Sequence, residues 1–317
     1  MTKIERILPQ GFRLVAKPSH CSLEGTCLEM KGRKLGPLGT EDVKLVLRSF
    51  TQGRFAMKPR IVCVDGAGSE LSCEPEPLVV EVLEVTLPDH VATGCRSLDC
   101  ALFGGIPKDY AVILTSTSCD ERELLIKRFL EVGAQKGQVT FYVTTKSSGV
   151  DFLPKEYESD FYLFICNPQV NRMIESLPHV FKSSGVDNLT DISIAVASAS
   201  RKLTASPKES RRACIEIISD VLLQHHAVST RRWLSGLITD LKSKGFTTLA
   251  VMNPQMHSQE EVQAILGLFE GEINIYDRKA EEGRRRFLRV TKMHDQRYLK
   301  SEFLLEEESF MTRQNVK

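Results

Sequence analysis

The chain has 317 residues, a length that suits about two domains. Apolar residues make up 42% and charged residues 26%, and no apolar run nears the roughly 18–20 residues of a spanning helix, which excludes disordered, fibrous and helical-membrane classes. Lys and Arg number 42 against 41 Asp and Glu, so bulk charge cannot drive nucleic-acid binding and any basic site must be local. Nine cysteines lie scattered without a Cys-x-x-Cys pair, and the N-terminus carries no apolar signal core. Reduced thiols and a cytoplasmic protein are expected.

Residues 1–88 read as a small β-rich accessory module with one helix. Phe12–Ala16, Cys27–Met30, Arg60–Asp65 and Leu78–Thr86 are strand-like runs, and Asp65-Gly66 is a turn signal. The helix is predicted from Thr40 to Gln52, with Thr40 as cap, Val43, Val46, Leu47 and Phe50 on one face and Gly53 as the stop. Glu74-Pro75-Glu76-Pro77 is a stiff break.

From residue 89 to about 300, strands and helices alternate, and 301–317 reads as a C-terminal tail. Tyr110–Thr115, Val139–Thr144, Phe161–Cys166, Ala213–Ile218 and Thr247–Met252 are short, almost unbroken apolar runs, as in parallel strands covered on both faces. Helices are predicted after Asn167-Pro168, Asn188, Ser229 and Ser258, the last opening on a Ser-Gln-Glu-Glu capping box. Trp233 shares a helical face with Leu237 and Leu241 and is expected against the sheet. Glu272–Arg278 and Phe287–Met293 read as an antiparallel pair. The fold class is α/β, a mostly parallel sheet flanked by helices, with the small N-terminal module attached.

Val91-Ala92-Thr93-Gly94-Cys95-Arg96-Ser97-Leu98-Asp99, then Phe103-Gly104-Gly105-Ile106-Pro107, then Tyr110-Ala111-Val112-Ile113-Leu114 resembles the start of the ATPase domain in the KaiC/RadA/RecA-like family. Arg211 to Asp220 resembles that family's Walker B strand, and Arg284 to Met293 its C-terminal strand. The resemblance covers roughly residues 89–300 and implies a RecA-like sheet of the kind found in archaeal KaiC-like proteins.

The resemblance also implies a phosphate loop after the first core strand, and there the sequence departs from the pattern. Such a loop uses two glycines to curl its amides round phosphate, a lysine for charge and a hydroxyl for magnesium. Ser116-Thr117-Ser118-Cys119-Asp120-Glu121-Arg122-Glu123 stands in its place. Ser116 and Glu121 replace the glycines, Arg122 the lysine and Glu123 the hydroxyl. Three acids crowd a site meant for a polyanion, and like charges ~4 Å apart repel by about 4 kcal/mol near a protein surface. Ser118 to Glu121 instead matches a capping box. Where relatives carry paired glutamates at the end of the second core strand, Lys146 and Ser147 stand. Neither is a carboxylate base. Glu216 keeps the Walker B acid position and is expected to pair with a cation such as Arg122 or Lys146, with Asp220 as a loop or helix-start residue.

The expected function is that of a KaiC/RecA-like protein which has lost ATP hydrolysis and acts by binding. Ser116, Arg122 and Glu216 are the remnants of the nucleotide site. No cofactor is expected, and ATP with magnesium enters only if the loop is a divergent ATPase. Protein is the expected partner, through a monomer or small oligomer without a membrane. Nucleic acid is the other candidate, through the basic patch Arg284, Arg285, Arg286, Arg289 and Lys292. His225-His226 is read as a loop pair without metal-ligand spacing, and Asn253-Pro254 as a turn and helix start.

Overall fold

The computed structural model describes residues 2–16, 21–30, 43, 45–49, 53–64, 69–82, 89–146, 160–172, 176–203, 210–280 and 283–310. The chain divides into two compact units, Met1–Leu87 and Pro88–Lys317.

Among the described residues the first unit holds nine short strands: β1 (Thr2–Glu5), β2 (Phe12–Ala16), β3 (Cys21–Glu24), β4 (Cys27–Met30), β5 (Val46–Ser49), β6 (Gly53–Met57), β7 (Arg60–Val64), β8 (Glu70–Cys73) and β9 (Leu78–Val82). Five form an antiparallel sheet in the order β3-β4-β1-β7-β8, while β2 pairs with β5 and β6 with β9. Ile7, Cys21, Leu28 and Met30 make its small core, with Val43 and Leu45 against it. The helix expected over Thr40–Gln52 is therefore a misreading: Val46–Ser49 is a strand, with Leu47 opposite Leu14. Val43, Leu45 and Leu47 alternate at period two, and that pattern with a pairing partner outweighs the local helical spacing. The turn at Asp65-Gly66 and residues 83–88 lie outside the described residues.

The second unit opens with β10 (His90–Val91), α1 (Arg96–Ala101) and β11 (Ile106–Pro107), and β10 pairs with β11. This gives the Thr-Gly, Leu-Asp and Gly-Gly-Ile-Pro residues a physical role. The half-buried Asp99 carboxylate accepts from the Thr93 amide at 2.7 Å and the Thr93 hydroxyl at 2.8 Å. Gly105 has φ +116°, and a Cβ there would lie 2.3 Å from the Val91 carbonyl oxygen. Only glycine permits that approach.

The main sheet adds β12 (Ala111–Thr115), β13 (Thr140–Thr144), β14 (Phe161–Ile165), β15 (Val180–Lys182), β16 (Arg211–Ile215), β17 (Phe246–Met252), β18 (Gly271–Ala280), β19 (Gly283–Met293) and β20 (Phe303–Leu304). Their order is β15-β14-β13-β16-β17-β12-β18-β19-β20. The strands run parallel from β15 through β18, and β19 and β20 are antiparallel. The five apolar runs thus sit side by side in one sheet. Their residues alternate between two cores: Val112 and Leu114 join α2 (Asp120–Gln135) on one face. Ile113, Phe141 and Val143 join α3 (Leu189–Lys202) and α4 (Ile218–Ser243) on the other, where α5 (Gln259–Leu266) also packs.

Asn188 caps α3 and Ser258 closes its capping box on α5, as expected. Four readings change. After Asn167-Pro168 there is one 3₁₀ turn, Val170–Arg172, and residues 173–175 lie outside the described residues. Ile218–Ser243 is two helical stretches joined across a break at His226 (φ 56°, ψ 172°), so a helix already precedes the one expected from Ser229, and His225-His226 lies at the kink between them. Trp233 is half-buried and donates to the Ser193 hydroxyl of α3 at 3.0 Å. The stripe facing the sheet is Leu234, Leu237, Ile238 and Leu241, and Trp233 lies one position off it. Residues 301–310 are not a loose tail either. β20 pairs with β19, and Leu305 and Phe310 are buried in the core that α2 covers. Among the described residues no helix is long and apolar enough to cross a membrane.

Candidate functional site

In open parallel sheets, ligands meet the carboxyl ends of the strands. Here β12, β17, β16 and β13 are neighbours, so Ser116, Asn253, Glu216 and Lys146 leave the sheet along one edge. Ser116 is buried, and its amide donates to the Met252 carbonyl at 3.1 Å, extending the β12–β17 ladder. Its hydroxyl donates to the Thr117 carbonyl at 2.7 Å. The start of the loop is thus already hydrogen-bonded within the chain.

The capping box expected at Ser118 and Glu121 is absent. The helix starts at Asp120 with Cys119 as its cap residue and no side-chain cap bond. That places Ser118 one residue too early to reach the first turn. Its hydroxyl accepts from Arg122 Nη2 at 3.2 Å, and the Glu121 carboxylate pairs with Arg286 from β19. Asp120 is exposed, so the three acids do not converge.

Arg122 is buried and its guanidinium donates to Glu123 Oε1 at 2.6 Å. Lys146 Nζ lies 2.7 Å from that same oxygen and 2.5 Å from Glu216 Oε1. The Glu216 carboxylate, only 4% exposed, also accepts from the Tyr142 hydroxyl and from Thr144 Oγ1 at 3.3 Å. Two cations and two carboxylates therefore form one chain, Arg122–Glu123–Lys146–Glu216, with formal charge zero. Glu216 pairs with Lys146 and not with Arg122. Ser147 lies outside the described residues. Beside this chain, Asp220 in the first turn of α4 accepts from the Thr145 hydroxyl at 2.9 Å. Asn253 caps a 3₁₀ turn that starts at Pro254.

The electrostatics follow from these contacts. Burial alone would raise the Glu123 carboxyl, but hydrogen bonds from Lys146 and Arg122 hold it below its ordinary value. Burial would lower Lys146, and the two carboxylates outweigh it and raise the ammonium. Burial, then the Glu216 charge, keeps the Tyr142 hydroxyl well above its usual range, so it stays a donor.

Sequence reasoning missed Arg212, which is fully buried. Its guanidinium donates to the carbonyls of Phe129 at 2.6 Å and Ala92 at 3.1 Å and to Gln138 Oε1 at 3.0 Å, and it lies 4.8 Å over the Phe129 ring. Burial lowers it to about 9, against the pull of Asp99, so it remains charged at neutral pH. An arginine opening an otherwise apolar strand was the one available signal. The basic patch is engaged with its surroundings. Arg286 binds Glu121 and Asp277, Lys292 donates to the Phe269 carbonyl at 2.8 Å, and Arg289 lies over the Tyr276 ring. Arg285 is exposed, and the Arg284 side chain lies outside the described residues. A cavity of about 550 Å³ opens there among Glu121, Asp277, Arg285, Arg286, Leu304, Leu305 and Glu306, with acids and bases mixed on its walls.

The model of the KaiC ATPase family matches residues 91–306. Among solved structures, a KaiC-like protein of the hyperthermophilic archaeon Pyrococcus horikoshii is similar to this chain. The identity is 21% over 70% of this chain and 96% of that one, with a TM-score of 0.53, which supports the fold. No curated protein matches the chain. With the RecA-like sheet placed as above and the family model spanning more than half of its length, the chain belongs to the KaiC ATPase family.

Proposed function

We propose that this chain is a KaiC-family domain that has lost ATP hydrolysis and works by binding a partner, as a regulatory protein. The observation that carries the reading is the place of Lys146. Its ammonium lies between Glu123 and Glu216, at 2.7 and 2.5 Å, where an acidic pair would otherwise hold a divalent cation. The residues do not fit a magnesium nucleotide. A polyphosphate needs uncompensated positive charge and free amides. Here both cations are spent on carboxylates, and the Ser116 amide is bonded to Met252. Hydrolysis also needs a base to take the proton of the attacking water. Lys146 is held protonated between two acids and cannot serve. The partner is a protein in this reading, and the domain is a monomer or small oligomer in the cytoplasm.

The test is MgATP binding by calorimetry together with phosphate release. The wild-type protein is expected to bind nothing at about 1 mM, which means a binding free energy less favourable than roughly −4 kcal/mol. The triple variant Glu121→Gly, Arg122→Lys, Glu123→Thr removes two acids and breaks up the ion chain, and it should bind MgATP measurably while still hydrolysing poorly. Micromolar MgATP binding by the unaltered protein, abolished by Arg122→Ala, would identify a divergent ATPase and refute the proposal. A nucleotide-dependent hexamer in light scattering would do the same.

A further inference from the structure

The helices α3 and α4 lie side by side on one face of the main sheet. Each leads from the carboxyl end of a parallel strand back to the start of the next, so the two run in the same direction. The bond from Trp233 to Ser193 sets their register, with these two residues level. The core takes Ile192 and Val196 from α3 and Leu234 and Leu237 from α4. The opposite sides of both helices are uncovered among the described residues. Ile194 is 55% and Val228 73% exposed, and Asp191, Arg232, Ser235 and Gly236 are exposed beside them. A Cβ added at Gly236 would meet nothing within 4 Å, which leaves a notch over Ser235 and Gly236. Among the described residues, neither the Asp191 carboxylate nor the Arg232 guanidinium has a polar partner.

Counted from the Ser193–Trp233 register, Asp191 on α3 and Arg232 on α4 differ in height by about one residue, ~1.5 Å. Ile194 stands within about two residues, ~3 Å, of the Ser235-Gly236 notch. A face with a knob and an acid on one helix, and a notch and a base at the same heights on the other, is complementary to itself. A two-fold axis in the contact plane, parallel to the helices, sets α3 of each copy against α4 of the other at equal height. It brings Asp191 to the partner's Arg232, Ile194 to the notch over the partner's Gly236, and Val228 to the start of the partner's α3. Each contact then occurs twice. From this juxtaposition we propose that the outward α3–α4 face joins two copies of this chain in an isologous dimer. A strongly acidic or strongly basic partner would leave one of the two free charges unpaired, whereas a second copy pairs both. The face is about 21 Å long and roughly 20 Å wide, or about 400 Å² per copy, from the helical rise and the usual helix spacing. That is half of the ~800 Å² per partner in a standard interface, so the dimer is weak and reversible. It needs no nucleotide and does not depend on the loss of hydrolysis.

The experiment is analytical ultracentrifugation of the full chain without nucleotide, from about 5 to 500 μM, at low and at high salt. A reversible monomer–dimer equilibrium is expected, with Kd about 100 μM at low salt and weaker at high salt, where the two ion pairs are screened. Ile194→Asp removes the knob and Gly236→Leu fills the notch; each should weaken the dimer about tenfold while the thermal midpoint does not fall. Asp191→Arg and Arg232→Asp should each weaken it about tenfold, because the two-fold axis doubles every loss. The double variant Asp191→Arg, Arg232→Asp exchanges the signs and should return to within about threefold of wild type. A loss of folding stability would give no such rescue. Several results would overturn the proposal: a monomer at every concentration, assembly beyond the dimer, a dimer unchanged by Ile194→Asp and Gly236→Leu, or a double variant no tighter than the single ones. Poly-glutamate and poly-lysine are the comparators. A monomer that binds one of them, and loses it with Arg232→Asp or Asp191→Arg, would mark a charged partner in place of a second copy. MgATP is absent from every arm, so failure here is separable from failure of the regulatory reading.

Discussion

Replacing Lys146 with Met tests whether the strand-end ion chain is structural. Lys146 makes two short contacts of different weight. Glu123 is 44% exposed and keeps Arg122 at 2.6 Å, so losing the lysine there costs about 0–1 kcal/mol. Glu216 is 4% exposed, and stripping the partner from a fully buried ion pair costs about 3–5 kcal/mol. Two features lower that figure. The Lys146 side chain is 39% exposed, so water can follow, and the Tyr142 and Thr144 donors stay on the carboxylate. The sum is about 2–3 kcal/mol, or roughly 5–10 °C in Tm for a unit of this size. Urea unfolding followed by circular dichroism reads it. The double variant Lys146→Met, Glu216→Gln should recover most of the loss, because it buries no unpaired charge. Lys146→Ala, which opens the space between the carboxylates, should also be stabilised by 10 mM magnesium, by about 1.4 kcal/mol if Kd is ~1 mM, while wild type is not. If Lys146→Met is as stable as wild type and the double variant is additive, the ammonium is not a structural counter-ion. The cation-slot argument then fails.

The same chain sets a pH dependence. Glu123 is held below its ordinary 4.5, so its contribution is present above that value and is lost as pH falls through the lowered folded value; Lys146 is raised above 10.5, so its contribution is present below 10.5 and is lost as pH rises through the raised value. Urea midpoints from pH 3 to 7 should therefore fall on the acid side, and fall less in Lys146→Met. Gly133→Ala should destabilise by about 2–3 kcal/mol despite alanine's better helix propensity, because its Cβ would stand 2.3 Å from Arg212 Cδ and the buried arginine is pinned by its carbonyl partners. A gain in the urea midpoint would contradict that packing. His226→Gly should stabilise by about 1 kcal/mol, because φ 56° with ψ 172° is a region that glycine alone adopts easily, and His226 is exposed; an unchanged or lower midpoint would show that the kink is relaxed.

The main sheet was legible because its strands are buried on both faces, which leaves almost unbroken apolar runs in the sequence. Boundaries were less legible. Ile217 and Ile218 read as strand because they are as apolar as Cys214 and Ile215, yet α4 begins at Ile218. The N-terminal module misled in the opposite direction. Residues 43–49 carry both a helical and an alternating pattern, and the choice between them is made by pairing with β2, more than thirty positions earlier in the chain. Trp233 was displaced by a single position from the stripe that meets the sheet.

At the site, the residues that depart from a phosphate loop stood in sequence order, and the end of β13 pointed to Lys146 as a partner for Glu216. The Glu121–Arg286 pair was out of reach, since its members lie 165 positions apart and meet only because β18–β19 extends the sheet beside β12. The capping box failed over one residue of register, which freed Ser118 for Arg122. These shifts change the physics of the site. Three acids near a helix start would repel a polyanion only as strongly as solvent screening allows. A closed chain of alternating charges does more: it leaves neither an unpaired cation for phosphate nor an unpaired carboxylate for metal. Each member also depends on the next. Changing Arg122 to Lys alone leaves Glu123 between two ammonium groups and the Ser116 amide on Met252, so the phosphate position gains nothing. On the proposed reading, a phosphate site would have to be rebuilt from several residues at once, because neutrality is a property of the chain and not of any one side chain.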